Sequence, residues 1–82
     1  MTKEDITRII NNFLIEEFEI NGSKINPDAH LKDDLGLESL DFVDIAVIVQ
    51  KEFSITLKGE EMTAIRTLGD LYKYIFTTIN KK

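Results

Sequence analysis

The feature that most constrains this chain is the helical spacing of apolar residues near its N-terminus. Between Thr2 and about Phe18, apolar side chains recur every three or four residues, at Ile6, Ile9, Ile10, Phe13, Leu14 and Phe18. This period predicts an amphipathic helix, which must bury one face against other elements. Thr2 and Asp5, three residues apart, resemble a capping box and predict where the helix begins.

Two further helices are predicted. One runs from Ser39 to about Phe53, where the β-branched residues of 45–49 leave a strand as the alternative. The length of the segment and its interspersed polar residues favour the helix. The last helix starts at Thr67, which forms a cap with Asp70. Its apolar stripe is Leu68, Leu71, Tyr72, Ile75, Phe76 and Ile79.

The segments between these helices complete the predicted fold. The stretch Gly59–Ile65 could form one or two helical turns. The turn signal at Asn21-Gly22, followed by Pro27, opens a long connection that extends to Leu37. Its apolar anchors to the core are Ile20, Ile25, Leu31, Leu35 and Leu37. The predicted fold class is all-α, a small bundle of three main helices plus one short helix in a single domain, residues 1–82.

Composition excludes several kinds of site. The chain has no cysteine and one histidine, His30, which excludes disulfides, thiolate metal sites and multi-histidine metal sites. The acids Asp33, Asp34 and Glu38 lack the alternating oxygen ligands of an EF-hand, so no dedicated metal site is expected. The longest apolar run, Ile45–Val49, is too short to cross a bilayer, and the N-terminus lacks a signal peptide. We therefore expect a cytoplasmic protein, without membrane insertion, that is a monomer.

Negative charge is concentrated in one segment. The chain has a net charge of −5, and residues 28–44 hold six acids against one base, Lys32, which accounts for all of it. A focused acidic surface argues against nucleic acid and for a basic protein partner, although a solvated loop is the simpler alternative.

The best candidates for a functional site are residues Asp34–Asp41, which read Asp-Leu-Gly-Leu-Glu-Ser-Leu-Asp. They place Ser39 at a predicted helix N-terminus, where a phosphate on its hydroxyl would lie in a favourable field. The simplest interpretation is that Ser39 is a helix cap. A serine nucleophile would need a base, and only His30 is available, with nothing to orient it.

At these residues the sequence resembles the acyl carrier protein family. The family motif is Asp-Leu-Gly, one residue, Asp-Ser-Leu and then an acidic or polar residue that opens a helix. The resemblance continues through Val43, Asp44, Glu52, Phe53 and Ile55, and then through 67–71 and Tyr74-Ile75. With the first helix and the long loop, it spans nearly the whole chain.

The resemblance implies a carrier and not an enzyme. Ser39 would accept 4′-phosphopantetheine from coenzyme A, and acyl groups would ride on the arm as thioesters in fatty acid, polyketide or other specialised lipid biosynthesis. An aminoacyl carrier, D-alanyl or peptidyl, is the nearest alternative. An unmodified helical interaction module and a small serine enzyme are further alternatives. The implied partners are a phosphopantetheinyl transferase and acyl-loading, condensing and other acyl-processing enzymes with basic docking surfaces.

Three departures from the family pattern bear on the partners. Glu38 replaces the usual aspartate, and Phe42 stands where the helix often has a smaller residue, as a core aromatic or an exposed contact. Gln50 and Lys51 replace acids of many fatty-acid-type members, which favours a specialised pathway. We predict a docking surface formed by Asp41, Asp44 and a neighbouring apolar strip. The partner-binding residues are predicted to be Glu38, Leu40, Asp41, Phe42, Val43, Asp44 and Val47.

Overall fold

The helices lie close to where the apolar periodicity predicts them. A computed structural model describes residues 2–80. Its helices are α1 (Lys3–Phe18), α2 (Ser39–Phe53), the short α3 (Gly59–Met62) and α4 (Leu68–Ile79), with a 3₁₀ turn at Gly22–Lys24. The predicted small helical bundle of three main helices and one short helix is confirmed. The segment 45–49 is helical, so the strand alternative is wrong.

Two of the helices begin at the predicted capping boxes. The Asp5 amide donates to the Thr2 hydroxyl at 3.1 Å, and the Thr2 amide donates to the Asp5 carboxylate at 3.3 Å. At α4, the Asp70 amide donates to the Thr67 hydroxyl at 3.1 Å, and the Thr67 amide donates back to Asp70 at 3.2 Å. These reciprocal bonds satisfy amides that have no partner within the helix, and so they fix where each helix starts.

One apolar core joins all the long helices. Its contributors from α1, α2 and α4 are Ile6, Ile10, Phe13, Leu14, Ile45, Val49, Phe53, Leu68, Leu71, Tyr72 and Ile75. Helices α1 and α4 pack against each other, and the Tyr72 phenol on α4 donates a hydrogen bond to the Asn11 side chain on α1. The long connection contributes as predicted, with Ile20, Leu31, Leu35 and Leu37 buried and Ile25 half-buried. The loop is therefore packed onto the core.

The connection is also fastened to the start of α4 by backbone hydrogen bonds. The amides of Leu68 and Gly69 donate to the carbonyl oxygens of Ala29 and Pro27, each at 2.9 Å. Glycine is required at position 69, because a Cβ there would lie 2.9 Å from the Pro27 oxygen. His30 forms an isolated antiparallel bridge with Thr67. Within residues 2–80, no helix is both long enough and apolar enough to cross a membrane.

Candidate functional site

Ser39 is the first residue of α2, and the residue before it occupies the cap position. Glu38 has extended backbone angles and is the N-cap of the helix, while the Ser39 side chain takes no part in the cap. The interpretation of Ser39 as a helix cap is therefore wrong. Ser39 is exposed, so its hydroxyl is accessible at a helix end that presents free backbone amides.

A tight turn before Glu38 brings the chain into α2. The amide of Gly36 donates to the Lys32 carbonyl at 3.1 Å, and the amide of Leu37 donates to the Leu31 carbonyl at 3.0 Å. Gly36 has a φ of +70°, in the left-handed region that glycine adopts without strain. Leu31 and Leu37 are buried, so the turn is anchored at both ends. Ser39 thus follows a turn that is held rigidly against the core.

Asp41 completes the start of the helix. Its carboxylate accepts a hydrogen bond from the Glu38 amide at 2.9 Å. Asp44, one turn further along, is exposed. Of the two α2 acids predicted to dock partners, Asp41 therefore has a role in the fold, whereas Asp44 faces solvent.

Helix α2 has apolar residues on two faces, of which one is buried in the core and the other is exposed. Ile45, Val49 and Phe53 are buried in the core. On the other side, Leu40, Val43 and Val47 have exposed fractions of 78%, 60% and 59%. Such exposed apolar residues at helical spacing form an unpartnered strip, as predicted, and are typical of an interaction surface. We call Leu40, Val43 and Val47 the exposed strip.

Phe42 belongs to the interior side of α2. It is half-buried and packs against the core, which resolves the choice left open by the sequence in favour of a core aromatic. It also lines a groove of ≈ 770 Å³ beside Ser39. The apolar residues of this groove are Leu31, Phe42, Val43, Ala46, Leu57, Met62 and Ile65.

The α3 side of this groove was not predicted. Met62 and Thr63 line it, as do Ile65 and Arg66 in the segment that leads to α4. Helix α3 is tied to α4 because the Tyr74 phenol donates a hydrogen bond to the Glu61 carboxylate. Burial raises the pKa of Tyr74, and the bond to Glu61 raises it further, because both favour the protonated phenol that donates this bond. The apolar residues Leu57, Met62 and Ile65 were the sequence signal that could have indicated this side of the groove.

Two acids hold the backbone of residues that line the groove, His30 and Arg66. The carboxylate of Asp34 accepts from the His30 amide at 2.7 Å, and that of Asp70 accepts from the Arg66 amide at 3.2 Å. Hydrogen bonds from backbone amides lower the pKa of Asp70, which keeps it charged as an acceptor. His30 is exposed and its backbone bridges to Thr67. Among residues 2–80, no three acidic or imidazole side chains are grouped so that they could hold a metal ion.

The site geometry fits a flexible group attached to Ser39. The hydroxyl is exposed at the start of α2, and the same residue lines an apolar groove large enough to accept a chain-like substituent. A bulky group on this oxygen would therefore meet solvent or the groove, and the packed core would not have to open around the point of attachment.

Comparison with known proteins identifies such a group. The family described as "Phosphopantetheine attachment site" matches residues 8–75. "Acyl carrier protein 2" of Ralstonia nicotianae (strain ATCC BAA-1114 / GMI1000) is 37% identical over 71 residues, which cover 87% of this chain and 88% of that protein. The predicted cofactor, covalently attached 4′-phosphopantetheine, is confirmed at the level of the family.

Proposed function

This chain belongs to the phosphopantetheine-binding family of acyl carrier proteins, and on that premise we propose that Ser39 is the residue that carries its phosphopantetheine. The observation that supports this assignment is the position of Ser39 among the three serines. Ser23 donates its hydroxyl to Asn21 at 2.9 Å, and Ser54 is at the far end of α2. Only Ser39 lines the groove.

The second hydroxyl in the groove is a weaker candidate. Thr63 also lines the groove, but its hydroxyl donates to the Glu60 carbonyl at 2.7 Å and so is engaged in holding α3. The arm supplies a terminal thiol, which the cysteine-free chain lacks, and acyl groups are held on it as thioesters. The chain itself then serves partner enzymes without catalysing a reaction.

The test of Ser39 is the intact mass after incubation with coenzyme A and a broad-specificity phosphopantetheinyl transferase. The wild-type chain should gain one phosphopantetheine, and Ser39→Ala should gain none. Thr63→Val and Ser54→Ala are the matched controls and should be modified fully. Because Ser39 is not a cap, Ser39→Ala should change the free energy of unfolding by no more than about 0.5 kcal/mol. A mass gain that persists in Ser39→Ala would refute the assignment.

The cargo is proposed to be an acyl group of lipid or polyketide synthesis. The apolar lining of the groove favours a hydrocarbon chain over the polar aminoacyl cargo of the alternative class. The pathway is proposed to be a specialised one, because Gln50 and Lys51 stand on the exposed side of α2 where many fatty-acid-type members carry acids. Intact mass of the protein isolated from its native host tests both points. A dominant aminoacyl adduct would overturn the acyl assignment.

Partner enzymes are proposed to dock on α2 beside Ser39. Asp44 and the exposed strip face solvent together, and Glu38 is exposed at the N-cap. Asp41 contributes charge to this surface, whereas Phe42 supports it from the core side. A complementary partner would therefore present basic residues around an apolar patch, at the entrance through which the arm reaches its active site.

A further inference from the structure

Two cations line the groove that also contains Ser39. They are Lys32, in the turn before α2, and Arg66, just before α4, and both are exposed. The backbone holds their segments together, because the Leu31 amide donates to the Arg66 carbonyl at 2.9 Å. Arg66 is itself part of this hydrogen-bonded pair, and Lys32 directly follows Leu31. The bond therefore links the two segments that carry the cations, although these segments are far apart in sequence.

The same anchor brings Ser39 close to these cations. Leu31 accepts from the Leu37 amide at 3.0 Å, so the turn returns to Leu31 two residues before Ser39. Leu31 is almost fully buried, so the core holds it in place, and its backbone binds both the segment at Arg66 and the turn at Leu37. Lys32, Arg66 and Ser39 thus surround one anchored residue and face one groove.

The charges of the two cations are available to a ligand. Within residues 2–80, the only ion pair joins Arg8 to Asp5 at 3.0 Å. Asp34 lies two residues after Lys32 and Asp70 four residues after Arg66. The carboxylates of both accept hydrogen bonds from backbone amides. Asp33 is the only acid in the groove lining. The lining of the groove therefore holds two cations against one acid, although the segment from residue 28 to residue 44 accounts for all the net negative charge of the chain.

We infer that Lys32 and Arg66 form an anion-binding rim for a group attached to Ser39. The inference rests on the proposed function, which places a phosphodiester on the Ser39 oxygen. A guanidinium offers paired donors that match two phosphate oxygens, and an ammonium adds a point charge. A carboxylate on the cargo is the second possible source of the same chemistry. In either case Lys32 and Arg66 are positioning residues, and the exposed acid Asp44 of α2 remains free for partners.

The first experiment compares the apo chain with the arm-bearing chain. The variant with Lys32→Gln and Arg66→Gln removes both cations, and Lys51→Gln with Lys73→Gln removes two exposed cations outside this groove. At low ionic strength, the melting temperature difference between arm-bearing and apo forms should fall by about 1–5 °C in the rim variant. It should be unchanged in the control. Equal differences in both double variants and the wild type would exclude the phosphodiester, and the same result with a dicarboxylic half-thioester on the arm would overturn the inference.

Nuclear magnetic resonance supplies a readout that a general loss of stability would not move. Attachment of the arm should shift the Arg66 Nε–Hε resonance, and the ³¹P resonance of the phosphodiester should differ between the wild type and the rim variant. Arg66→Lys should restore only part of the ³¹P difference, since it keeps the charge and loses the planar fork. An Arg66 resonance that is identical in the apo and arm-bearing chains would exclude the phosphodiester as the anion.

Forms of the protein with cargo on the arm distinguish the two possible anions, which are the phosphodiester and a carboxylate on the cargo. A rim effect already present in the arm-only form assigns the phosphodiester. An effect that appears only with a dicarboxylic half-thioester, and not with the monocarboxylic acyl group of equal length, assigns the cargo carboxylate. Titration of the apo chain with inorganic phosphate, followed at Arg66 Nε–Hε, tests the rim without Ser39 chemistry. Failure of Ser39 modification is seen by mass, and so it is distinguishable from failure of the rim.

Discussion

The carboxylate of Asp41, two residues after the residue proposed to be modified, accepts a hydrogen bond from the Glu38 amide at 2.9 Å. This bond satisfies an amide at the helix start, so Asp41→Ala should lower the free energy of unfolding by about 1 kcal/mol. Asp41→Asn keeps an acceptor and should lose less. Asp44→Ala, at an exposed acid beyond the first turn, is the control and should stay within about 0.5 kcal/mol of wild type in urea unfolding. Equal effects of Asp41→Ala and Asp44→Ala would contradict this role.

Asp44 is therefore the cleaner probe of docking. Because Asp41 is part of the helix start, reversing both acids would mix a loss of stability with a loss of partner attraction. Asp44→Lys alone should slow association with a phosphopantetheinyl transferase by roughly twofold to tenfold at low salt and should flatten the salt dependence. Glu16→Lys on α1 makes the same change in net charge at another exposed acid. If both reversals slow association equally, net charge and not a docking surface is responsible.

The exposed strip should contribute to the same complexes without contributing to stability. Leu40 is 78% exposed, so Leu40→Ala removes little buried surface from the free protein. We expect the variant to melt at the wild-type temperature and to dissociate from its partners several times faster, because contacts at the centre of an interface act mainly on dissociation. Dissociation at the wild-type rate would place the docking surface elsewhere.

Lys51 tests whether the far end of α2 selects the pathway. It follows Val47 by four residues and so stands at the end of the exposed strip. Gln50→Glu together with Lys51→Glu should increase turnover with a fatty acid synthesis enzyme that is built for a fully acidic helix. Its rate with a partner from the chain's own pathway should fall or stay constant. An unchanged ratio of the two rates would show that these positions do not discriminate between pathways.

Features that depend on residues close together in the sequence could be predicted, whereas contacts between distant segments could not. Thr2 and Thr67 were predicted as caps because a cap depends on residues three positions apart. Ser39 was misread as a cap because Glu38, with extended backbone, takes that position. The hydrogen bond from the Leu31 amide to the Arg66 carbonyl follows no periodicity and joins two loops that are far apart in sequence. That Lys32 and Arg66 line one groove therefore could not be predicted, although the exposed strip could.

The groove predicts how cargo should affect stability. Each methylene that moves from water into the apolar groove contributes up to about 0.8 kcal/mol, so the melting temperature of the acylated protein should rise with chain length over short chains. Ala46 is half-buried and lines the groove, while Val47 is on the exposed strip. Ala46→Leu should reduce the dependence on chain length, and Val47→Leu should not. Identical melting of the arm-only and medium-chain forms would indicate that cargo stays outside the groove.

Tyr72 predicts the behaviour of the fold in alkaline solution. Burial raises the pKa of Tyr72 from 10.0 to about 12, against a smaller opposing effect of its hydrogen bond to Asn11. The folded state therefore favours the neutral phenol more than the unfolded state does. This contribution is fully present below about pH 10, declines as the unfolded-state phenol ionises, and is lost by about pH 12. Two pKa units correspond to an upper limit of about 2.7 kcal/mol.

Tyr72→Phe separates this contribution from the deprotonation of lysines over the same range. The variant should be less stable than wild type at pH 8 by about 1 kcal/mol, because the bond to Asn11 is lost. It has no phenol to ionise when it unfolds, so its stability should fall less steeply between pH 10 and pH 12, and the two urea-unfolding curves should converge or cross there. Tyr74→Phe removes the other phenol of α4, two residues further along, which is only half-buried; its pKa is raised as well, but by less than that of Tyr72, so this variant should lose the smaller part of the wild-type pH dependence. Parallel losses in wild type and Tyr72→Phe across this window would mean that Tyr72 is not the group responsible.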